Sequence, residues 1–403
     1  MRTAYKCRAY PDLEQVIMLN RTFGCVRVVW NRTLAWRHAR HHSEQARTNF
    51  AQANAYLTAM KATEDLGWLN EVSSVPLQQA LRHQQVAFSN FFAGRARYPR
   101  YKSRTGRQSA EYTRSGFRYR DGRLFLAKTD TPLAFTWSWP DVDAASIDPT
   151  TVTVSKDPCG RWYVSFAVDV ADPAQLPATG AVVGVDLGIK DFAVTSDGEK
   201  IPNPRRLARR ECNLARYQRR MARKVKGSAN RAKARAKVAR AHRKVRASRA
   251  DFLHRASARL VRDHDVIVIE DLAVKNMIRN RPLAKAISDC GWGGFRRMIE
   301  YKAATAGRHL IVTGRWYPSS KTCSACGHLL ADLSLKTRTW QCPSCGTRHD
   351  RDINAAKNIL AAGLAVTACG ADVRHSGSSR VRSAVKQEPR PVTAGIPVHQ
   401  GRE

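Results

Sequence analysis

Two closely spaced pairs of cysteines near the end of the chain constrain its fold more than any other feature. Cys323 and Cys326 form one CxxC pair and Cys342 and Cys345 form the other, with 15 residues between the pairs and a glycine directly after each. This spacing is typical of a zinc ribbon, in which four thiolates bind one Zn²⁺ tetrahedrally. Because sulfur fills all four positions, none is left for a substrate, and the predicted zinc is structural. A redox pair would be expected singly, beside a strand and a helix.

The remaining six cysteines show no spacing typical of metal ligands, and we expect them to be bystanders. They are Cys7, Cys25, Cys159, Cys212, Cys290 and Cys369. No stretch of the chain approaches the roughly 18 consecutive apolar residues of a membrane span, and the N-terminus MRTAYKCRAYPDLEQ lacks the apolar core of a signal peptide. We therefore expect a soluble, intracellular protein without a disulfide framework.

The charge balance indicates a polyanionic partner. The 403 residues contain 69 lysines and arginines against 33 aspartates and glutamates, which gives a net charge of +36, far more than solubility requires. Membrane headgroups would also attract such a chain, but its basic segments lack the Trp- and Leu-rich opposite face of membrane-surface helices. We therefore predict a nucleic-acid partner and no membrane partner. A chain of this length is also expected to form two or more domains.

Changes of hydrophobic period divide the chain into segments. Residues 11–95 have helical spacing after a capping box formed by Asp12 and Gln15. From about 96 to 178 the period changes to two, most clearly in TVTVSK and RWYVSFAV, which the turn residues DPCG join into a hairpin. The segment ADPAQLPATG is a predicted linker to a third domain, 181–366. Residues 367–403 are expected to form a disordered tail.

A short segment beside the predicted β region combines aromatic and basic residues. In ARYPRYKSR, Tyr98 and Tyr101 lie among basic residues that include Arg100 and Lys102. This combination suits neutralisation of a nucleic-acid backbone together with stacking of bases. The alternative is a solvated strand edge, and the segment alone does not decide between the two.

Residues 205–250 are the most basic part of the chain. They contain 19 lysines and arginines and a single acidic residue. Apolar residues recur at helical spacing on both sides of a Gly-Ser pair, which predicts a helical hairpin with one basic face. A solvated surface is the usual explanation of a run of charges, but self-repulsion this one-sided needs a counter-charge. We therefore predict contact with nucleic acid, and the residues chosen to test it are Arg219, Arg223 and Lys224.

Three carboxylates lie in or at the ends of apolar strands, or open a helix. Asp186 lies within VVGVDLG, Glu270 ends the strand of DVIVIED, and Asp352 opens the predicted helix DINAAKNIL directly behind the ribbon. A carboxylate in an apolar strand is costly unless it is paired or binds a metal. Each alone would more often be a satisfied buried acid, and Asp352 could merely cap its helix. Together on one α/β unit they favour a functional site.

Phosphodiester hydrolysis is the chemistry that such a cluster supports. It needs an activated water and a stabilised leaving oxygen, and two Mg²⁺ ions held by carboxylates can provide both. Neighbouring acids leave the choice of ligands open. Glu270 and Asp271 point to opposite sides of a strand, so only one should enter the cluster, and Asp350 and Asp352 raise a similar question.

Several sequence blocks resemble the TnpB/OrfB family of bacterial insertion-sequence proteins. They are GVDLGIKDFAVTSDG, VIVIEDLAVKNM, WYPSSKTCSACG and CGTRHDRDINAAKNIL, all within 181–366, while FGCVRVVWN and YPRYKSR extend a weaker resemblance through the N-terminal half. This family is similar to the RuvC part of type V CRISPR effectors. The resemblance implies an α/β nuclease domain of the RNase H-like (RuvC) type. It also implies an Asp/Glu/Asp triad, which falls on Asp186, Glu270 and Asp352.

The resemblance further implies an arrangement of domains and a set of partners. The implied parts are a β-barrel-like wedge domain (1–10 and 96–178), a helical recognition domain interrupting it (11–95), and a nuclease domain (181–366) that contains the basic helical hairpin (205–250) and the zinc ribbon (316–348). The implied partners are a guide RNA from the transposon end and a target double-stranded DNA with a short adjacent motif. The implied activity is an RNA-guided endodeoxyribonuclease with two catalytic Mg²⁺ ions and one structural Zn²⁺, in the bacterial cytoplasm and associated with the nucleoid.

Two other functions remain open on the sequence. A transposase of the same chemistry would join DNA ends itself, and strand transfer on purified transposon ends would distinguish it, because hydrolysis alone cannot rejoin ends. A non-catalytic RNA- or DNA-binding regulator would hold its target without cutting it, even in Mg²⁺. The intact triad argues against such a regulator.

Overall fold

A computed structural model of the protein describes residues 1–172, 174–334 and 336–368. The predicted disordered tail therefore lies almost entirely outside the described residues. The described residues group into two compact units, one formed by Met1–Asp172 with Cys212–Arg243, the other by the described parts of 174–211 and 244–368. No described helix combines the length and the apolar character that crossing a membrane would require.

Three helices of the first unit confirm the helical prediction for residues 11–95. They are α1 (Leu13–Glu44), α2 (Phe50–Ala62) and α3 (Ser74–Phe92), with a 3₁₀ segment at Glu64–Glu71. The predicted capping box is present at the start of α1. The Asp12 carboxylate accepts a hydrogen bond of 2.8 Å from the N–H of Gln15, and the Gln15 side chain accepts one of 3.2 Å from the N–H of Asp12. These bonds satisfy N–H groups that have no partner within the helix.

An antiparallel sheet of five strands completes the core of the first unit. The strands of this unit are β1 (Arg2–Tyr10), β2 (Gln108–Thr113), β3 (Phe117–Arg120), β4 (Arg123–Leu126), β5 (Ala134–Thr136), β6 (Pro149–Lys156) and β7 (Trp162–Asp169). Five of them form one sheet in the order β2-β6-β7-β1-β5, and β3 pairs with β4. The predicted hairpin of TVTVSK and RWYVSFAV is confirmed as β6 and β7, with Val154 opposite Val164. Closure of this sheet into a barrel stays a prediction.

The basic segment forms the two predicted helices. They are α4 (Glu211–Ala222) and the long α5 (Ala229–Asp263). Gly227 lies at the break between them with φ of +94°, a left-handed conformation that glycine adopts without steric cost. The guanidinium of Arg231 donates to the carbonyl oxygens of Met221 and Lys224, at 3.2 and 2.7 Å. These bonds satisfy carbonyl groups at the end of α4.

The second unit is an α/β structure around a mixed sheet. Its further elements are β8 (Val182–Asp186), β9 (Asp191–Thr195), β10 (Lys200–Pro202), β11 (Val266–Glu270), α6 (Val274–Met277), α7 (Arg281–Cys290), α8 (Trp292–Ala306), β12 (His309–Thr313), β13 (Thr339–Gln341), β14 (Arg348–Asp350) and α9 (Arg351–Ala368). The sheet order is β10-β9-β8-β11-β12. Strands β8, β11 and β12 run parallel, and β9 and β10 are antiparallel additions at one edge.

Alternation along the central strands gives this sheet two buried faces. Val183 and Val185 of β8 belong to a core with α5, α7 and α8, together with Ile267 and Ile269 of β11. The residues between them point to the opposite face, where Gly184 lies against α9. Strands buried on both faces explain the nearly continuous apolar runs in the sequence.

Candidate active site

Asp186 and Glu270 end two neighbouring parallel strands. In the parallel register of β8 and β11, Val185 lies opposite Ile269, and the next residue of each strand is one of the two carboxylates. The carboxyl ends of parallel strands meet at one edge of a sheet, where α/β proteins form their sites. The structure therefore brings these two predicted residues to the same edge.

Close packing of α9 on β8 brings the third carboxylate to this edge. A Cβ atom on Gly184 would lie 2.2 Å from the carbonyl oxygen of Ala356 and 2.7 Å from the Cβ of Leu360, so the approach of the helix requires glycine here. Asp352 lies in the first turn of α9. Its negative charge acts on Asp186, which places the two carboxyl groups in one electrostatic environment.

Asp350, and not Asp352, caps α9. One carboxylate oxygen of Asp350 accepts hydrogen bonds from the N–H of Asp352 and the N–H of Ile353, at 3.0 and 3.1 Å. The side chain of Asp352 makes an ion pair of 3.5 Å with Arg338. The capping role that was an alternative for Asp352 thus belongs to Asp350, and the Asp352 carboxylate is available for another purpose.

Burial and mutual repulsion destabilise the charged forms of the carboxylates at the strand ends. Burial is the largest cause that raises the pKa of Asp186, to about 7, and the charges of Asp352 and Glu270 add to it. Burial also raises the pKa of Glu270, with a further contribution from Asp271. A nearby cation relieves such a cluster, and strongly raised pKa values are typical of functional sites.

The two neighbouring acids are neutralised by basic partners instead. Burial acts to raise the pKa of Asp271, but ion pairs of 2.7 Å with Arg296 and 2.6 Å with Arg315 hold it below its ordinary value. Burial likewise acts on Asp350, whose pKa is lowered by Lys200 at 2.6 Å and by its backbone hydrogen bonds. These two acids therefore have ion-pair partners already, whereas no ion pair within the described residues involves Asp186 or Glu270.

The donor chemistry of the three carboxylates fits Mg²⁺. Hard carboxylate oxygens are the ligands that this ion prefers, and it keeps several of its own waters. Within the described parts of the chain, only the four ribbon cysteines form a group of three or more candidate ligands whose atoms all lie within 4.8 Å of one another. The three carboxylates are coupled through their charges, since those of Asp352 and Glu270 both act on Asp186.

The four-cysteine cluster is confirmed. The sulfurs of Cys323 and Cys345 lie 3.7 Å apart, and those of Cys326 and Cys342 lie 3.6 Å apart. Sulfurs bound tetrahedrally at about 2.3 Å from one zinc ion are separated by about 3.7 Å.

Sequence reasoning missed a histidine beside this cluster. The Nε2 atom of His349 lies 3.0 Å from the sulfur of Cys323, and the ring of Trp340 packs against it at 4.7 Å between centroids. Burial lowers the pKa of His349, so the neutral ring can donate its N–H to the sulfur. Hydrogen bonds of this kind orient metal ligands. A histidine four residues after a CxxC pair was the available signal.

Two asparagines that connect the ribbon to α9 were also missed. The Nδ2 atoms of Asn354 and Asn358 donate to the carbonyl oxygen of Thr322, at 2.7 and 2.6 Å, and the Oδ1 atom of Asn354 accepts from the N–H of Ser324 at 2.9 Å. Both asparagines are buried. Their spacing of four residues on one helix face was the signal. Through them the helix that carries Asp352 holds the first cysteine knuckle.

The three residues of the basic hairpin that are predicted to contact nucleic acid lie on its surface. Arg219, Arg223 and Lys224 are all exposed. In the described residues, no ion pair to an acidic side chain involves any of the three, although exposed ion pairs occur elsewhere, as between Arg255 and Asp251. Their charges are therefore uncompensated, as binding to a polyanion requires.

The segment ARYPRYKSR does not form a strand edge. Strand β2 starts at Gln108, and residues 97–103 have no regular secondary structure, so the strand-edge alternative for this segment is wrong. The backbone of Lys102 is bonded to a side chain of α1 instead of a strand: its N–H donates to the Oδ1 atom of Asn31 at 2.8 Å, and its C=O accepts from the Asn31 Nδ2 atom at 3.0 Å. The ammonium of Lys102 lies 4.0 Å from the ring centroid of Trp30.

The remaining residues of this segment differ in exposure. Tyr98 packs edge-on against Phe88 and Phe91, with ring centroids 5.6 and 5.3 Å away. Arg100 and Tyr101 are exposed. Nucleic-acid binding by Tyr98, Arg100, Tyr101 and Lys102 stays a prediction, and Arg100 and Tyr101 offer the larger surface for it.

Comparison with known proteins decides the family. A protein of Streptomyces pristinaespiralis named "Putative RNA-guided DNA endonuclease" is 55% identical over 401 residues, which cover 98% of each chain. The family model described as "Probable transposase" (OrfB, IS605 type) matches residues 165–281. The chain belongs to the OrfB/TnpB family. The resemblance found in the sequence blocks is thereby confirmed.

Other matches to this OrfB/TnpB protein agree with that assignment. InsQ of Escherichia coli (strain K12), also named "Putative RNA-guided DNA endonuclease", is 31% identical over 96% of this chain and 97% of its own. A model described as "Cas12f1-like, TNB domain" matches residues 292–359, and one described as "Helix-turn-helix domain" matches residues 1–46, where the structure has β1 and the single helix α1.

A solved structure shares the fold of this OrfB/TnpB protein. It is the cryo-EM structure of the Cas12f1-sgRNA-target DNA complex, with a TM-score of 0.52 and 16% identity over 86% of this chain and 83% of that one. At this identity the likeness concerns the fold alone.

Proposed function

We propose that this OrfB/TnpB protein is an RNA-guided, Mg²⁺-dependent DNA endonuclease that cuts double-stranded DNA at a RuvC-like site. The single observation that carries the proposal is the set of three coupled carboxylates at one sheet edge. Burial and repulsion raise the pKa of Asp186 to about 7 there. The names of its relatives support the substrate and the guide.

The proposed site assigns a role to each carboxylate. Asp186, Glu270 and Asp352 would hold two Mg²⁺ ions, which supply an activated water and stabilise the leaving oxygen when bound. The chain itself contributes the positions: parallel strands β8 and β11 fix two of the carboxylates, and Gly184 lets α9 bring the third. Asp350 keeps α9 capped without entering the site. Placement of ligands on packed strands and helices avoids reorganisation during the reaction.

The ribbon supports one structural Zn²⁺. Four sulfurs at tetrahedral spacing leave no position for a substrate, so the zinc would act on folding alone. His349 would orient the Cys323 thiolate. Asn354 and Asn358 would hold α9 against the cysteine knuckle that contains Cys323.

The remaining parts follow the domain scheme given by the family resemblance. Residues 1–10 and 96–178 would form the wedge, 11–95 the recognition domain and 181–366 the nuclease domain. Arg219, Arg223 and Lys224 on the hairpin, and the segment Tyr98 to Lys102, would contact the guide RNA from the transposon end or its hybrid with DNA. Protein contacts then supply charge and shape, while base pairing supplies sequence information. Such a protein would act in the bacterial cytoplasm, at the nucleoid.

The test begins with the RNA that co-purifies with the protein. We expect sequencing to show one predominant transcript whose end matches flanking target DNA. The complex should cut a double-stranded target that matches this end, and should leave a scrambled target intact. Omission of Mg²⁺ should abolish cutting without releasing the target.

Three outcomes would contradict the proposal. Strand transfer on purified transposon ends without guided cutting would show a transposase that joins ends itself. Stable binding of the matched target without cutting in Mg²⁺ would show a regulator. Cutting of matched and scrambled targets at equal rates would show a nuclease that uses no guide.

A further inference from the structure

Trp316 is the side chain whose exposure the fold leaves unexplained. It is 89% exposed, whereas the next most exposed tryptophan of the described chain, Trp68, is 38% exposed. A single exposed apolar residue is common in proteins, but a tryptophan held almost entirely in solvent forfeits the burial that makes this residue valuable to a core. The contacts at the two ends of its loop show where in the second unit this indole is held.

One end of its loop is fixed to the strand that carries Glu270. Strand β12 pairs with β11 so that Thr313 lies opposite Glu270, and the loop begins directly after Thr313. Arg315 then binds the residue after Glu270: its Nη2 atom lies 2.6 Å from a carboxylate oxygen of Asp271, and its Nε atom donates to the Asp271 carbonyl at 3.2 Å. Trp316 follows at once, within a turn closed by the N–H of Tyr317 and the carbonyl of Gly314 at 3.2 Å.

The other end of the loop is fixed to the helix that carries Asp352. Asn358 donates to the carbonyl oxygen of Ser319 at 2.8 Å and to that of Thr322 at 2.6 Å. Asn354, half a turn after Asp352, also donates to Thr322. The loop around Trp316 is thus held by the two elements that position two of the three carboxylates, so the indole is pre-positioned at the edge of the proposed site.

We propose that Trp316 stacks against an unpaired base of the strand that enters the carboxylate site. This inference rests on the proposed function. An indole offers a flat apolar face, and every nucleotide base offers one in return once it is outside a duplex, so stacking is tolerant of sequence. Arg338 and Arg351 lie near Asp352 and Asp186, which supplies positive charge for the phosphates of the same strand. Trp316 is then a positioning residue that holds the strand while the carboxylate site acts on its backbone.

A fluorescence measurement tests the stacking without any cleavage. The emission of Trp316 is obtained by subtracting the tryptophan emission of Trp316→Phe from that of the wild-type protein. Both proteins carry their co-purified RNA and are measured in buffer without Mg²⁺. A single-stranded DNA oligonucleotide should quench this difference emission at saturation, and the same sequence as a duplex should leave it largely unchanged. Unchanged emission with the single strand, or equal quenching by the duplex, would overturn the inference.

Kinetics separate positioning from a structural role. Stacking on one aromatic side chain corresponds to about a 5- to 150-fold change in affinity, so Trp316→Ala should raise the apparent KM for target DNA within that range and leave kcat within about twofold. Trp316→Phe, which keeps a stacking ring, should recover most of the loss, and Trp68→Ala should have no effect. An unchanged KM for Trp316→Ala in a protein that cuts its target would refute the stacking role of Trp316. It would not contradict the proposed function. Quenching in a wild-type protein that never cuts would refute the proposed function and support the stacking.

Discussion

Two clusters of ligand-type side chains in the second unit differ in how they are assembled. The sulfurs of the ribbon come from 23 consecutive residues, Cys323 to Cys345, and lie within 4.8 Å of one another. The carboxylates come from two strands and a helix spread over residues 186–352, and the charges of Asp352 and Glu270 act on Asp186. The first cluster is assembled within one short segment, and the second depends on the packing of α9 against the sheet.

The acidic side chains at the carboxylate edge differ in whether they have basic partners. Around the carboxylate edge, two neighbouring acids have close basic partners, since Asp271 binds two arginines and Asp350 binds Lys200. Asp186 and Glu270 are half-buried and have raised pKa values. Such selective neutralisation is costly for folding and useful for binding metal.

The largest expected effect separates Glu270 from its neighbour. Glu270→Gln removes a proposed metal ligand and should lower the cleavage rate by at least about a hundredfold. Asp271→Asn loses part of two ion pairs and should keep the rate within about tenfold of wild type. Cleavage is measured with guide RNA, matched DNA and Mg²⁺. Equal losses in the two variants would remove the distinction between ligands and neutralised neighbours.

Replacement of one ribbon cysteine tests the predicted four-thiolate zinc site. Cys326→Ser should lower zinc content and make residues 320–350 sensitive to protease, because so short a segment has little core apart from its metal, whose binding contributes roughly 10 kcal/mol to folding in small zinc domains. Cys212→Ser, an exposed cysteine outside the cluster, is the control. Full zinc occupancy and unchanged proteolysis in Cys326→Ser would exclude the four-thiolate site.

The pH dependence of the free energy of unfolding tests whether the charge of Asp186 destabilises the folded protein. Its pKa rises from an ordinary 3.8 to about 7 in the folded protein, so between these values the folded state binds more protons than the unfolded state and stability falls as pH rises. Asp186→Asn does not titrate and should exceed the wild type by about 1 kcal/mol or more at pH 8 in Mg²⁺-free buffer. Urea unfolding at pH 4 and pH 8 measures this. A variant less stable than wild type at pH 8 would mean that the Asp186 charge is already satisfied.

The smallest effect concerns the basic hairpin of the first unit. Reversal of charge at Arg219, Arg223 and Lys224 should flatten the dependence of log affinity on log salt by roughly 0.7 to 0.9 for each lost phosphate contact. Binding of RNA is followed at several salt concentrations. Reversal at Arg255 and Arg262, which already pair with acids, should change the slope less. An unchanged slope in the hairpin variant would show a merely solvated surface.

Sequence reasoning succeeded where the signal was local. The cysteine spacing, the capping box at Asp12, the β6–β7 hairpin and the two basic helices each depend on residues close together in the chain, and all are present. The strand-edge alternative for the segment around Lys102 was wrong, because the side chain of Asn31, 71 residues away in the chain, bonds to the backbone of Lys102. Alternation of residue types cannot reveal such a partner.

The site itself was predictable only in part. Apolar strands ending in acids identified the candidates, but the choice between Asp350 and Asp352 depended on the family resemblance, because helix capping and metal binding favour the same residue type. The structure separates them by hydrogen bonding. His349 and the two asparagines left a signal in their spacing, but their partners could not be predicted, since these are contacts between the ribbon and the helix.

The most direct test of the carboxylate site compares Asp352→Asn with Asp350→Asn. Asparagine caps a helix about as well as aspartate, so both variants should fold, retain their RNA and bind the matched target. If Asp352 is a metal ligand, its variant should lose at least about a hundredfold in cleavage rate, while Asp350→Asn should stay within about tenfold of wild type. Robust cutting by Asp352→Asn with guide RNA, matched DNA and Mg²⁺ would contradict the three-carboxylate site.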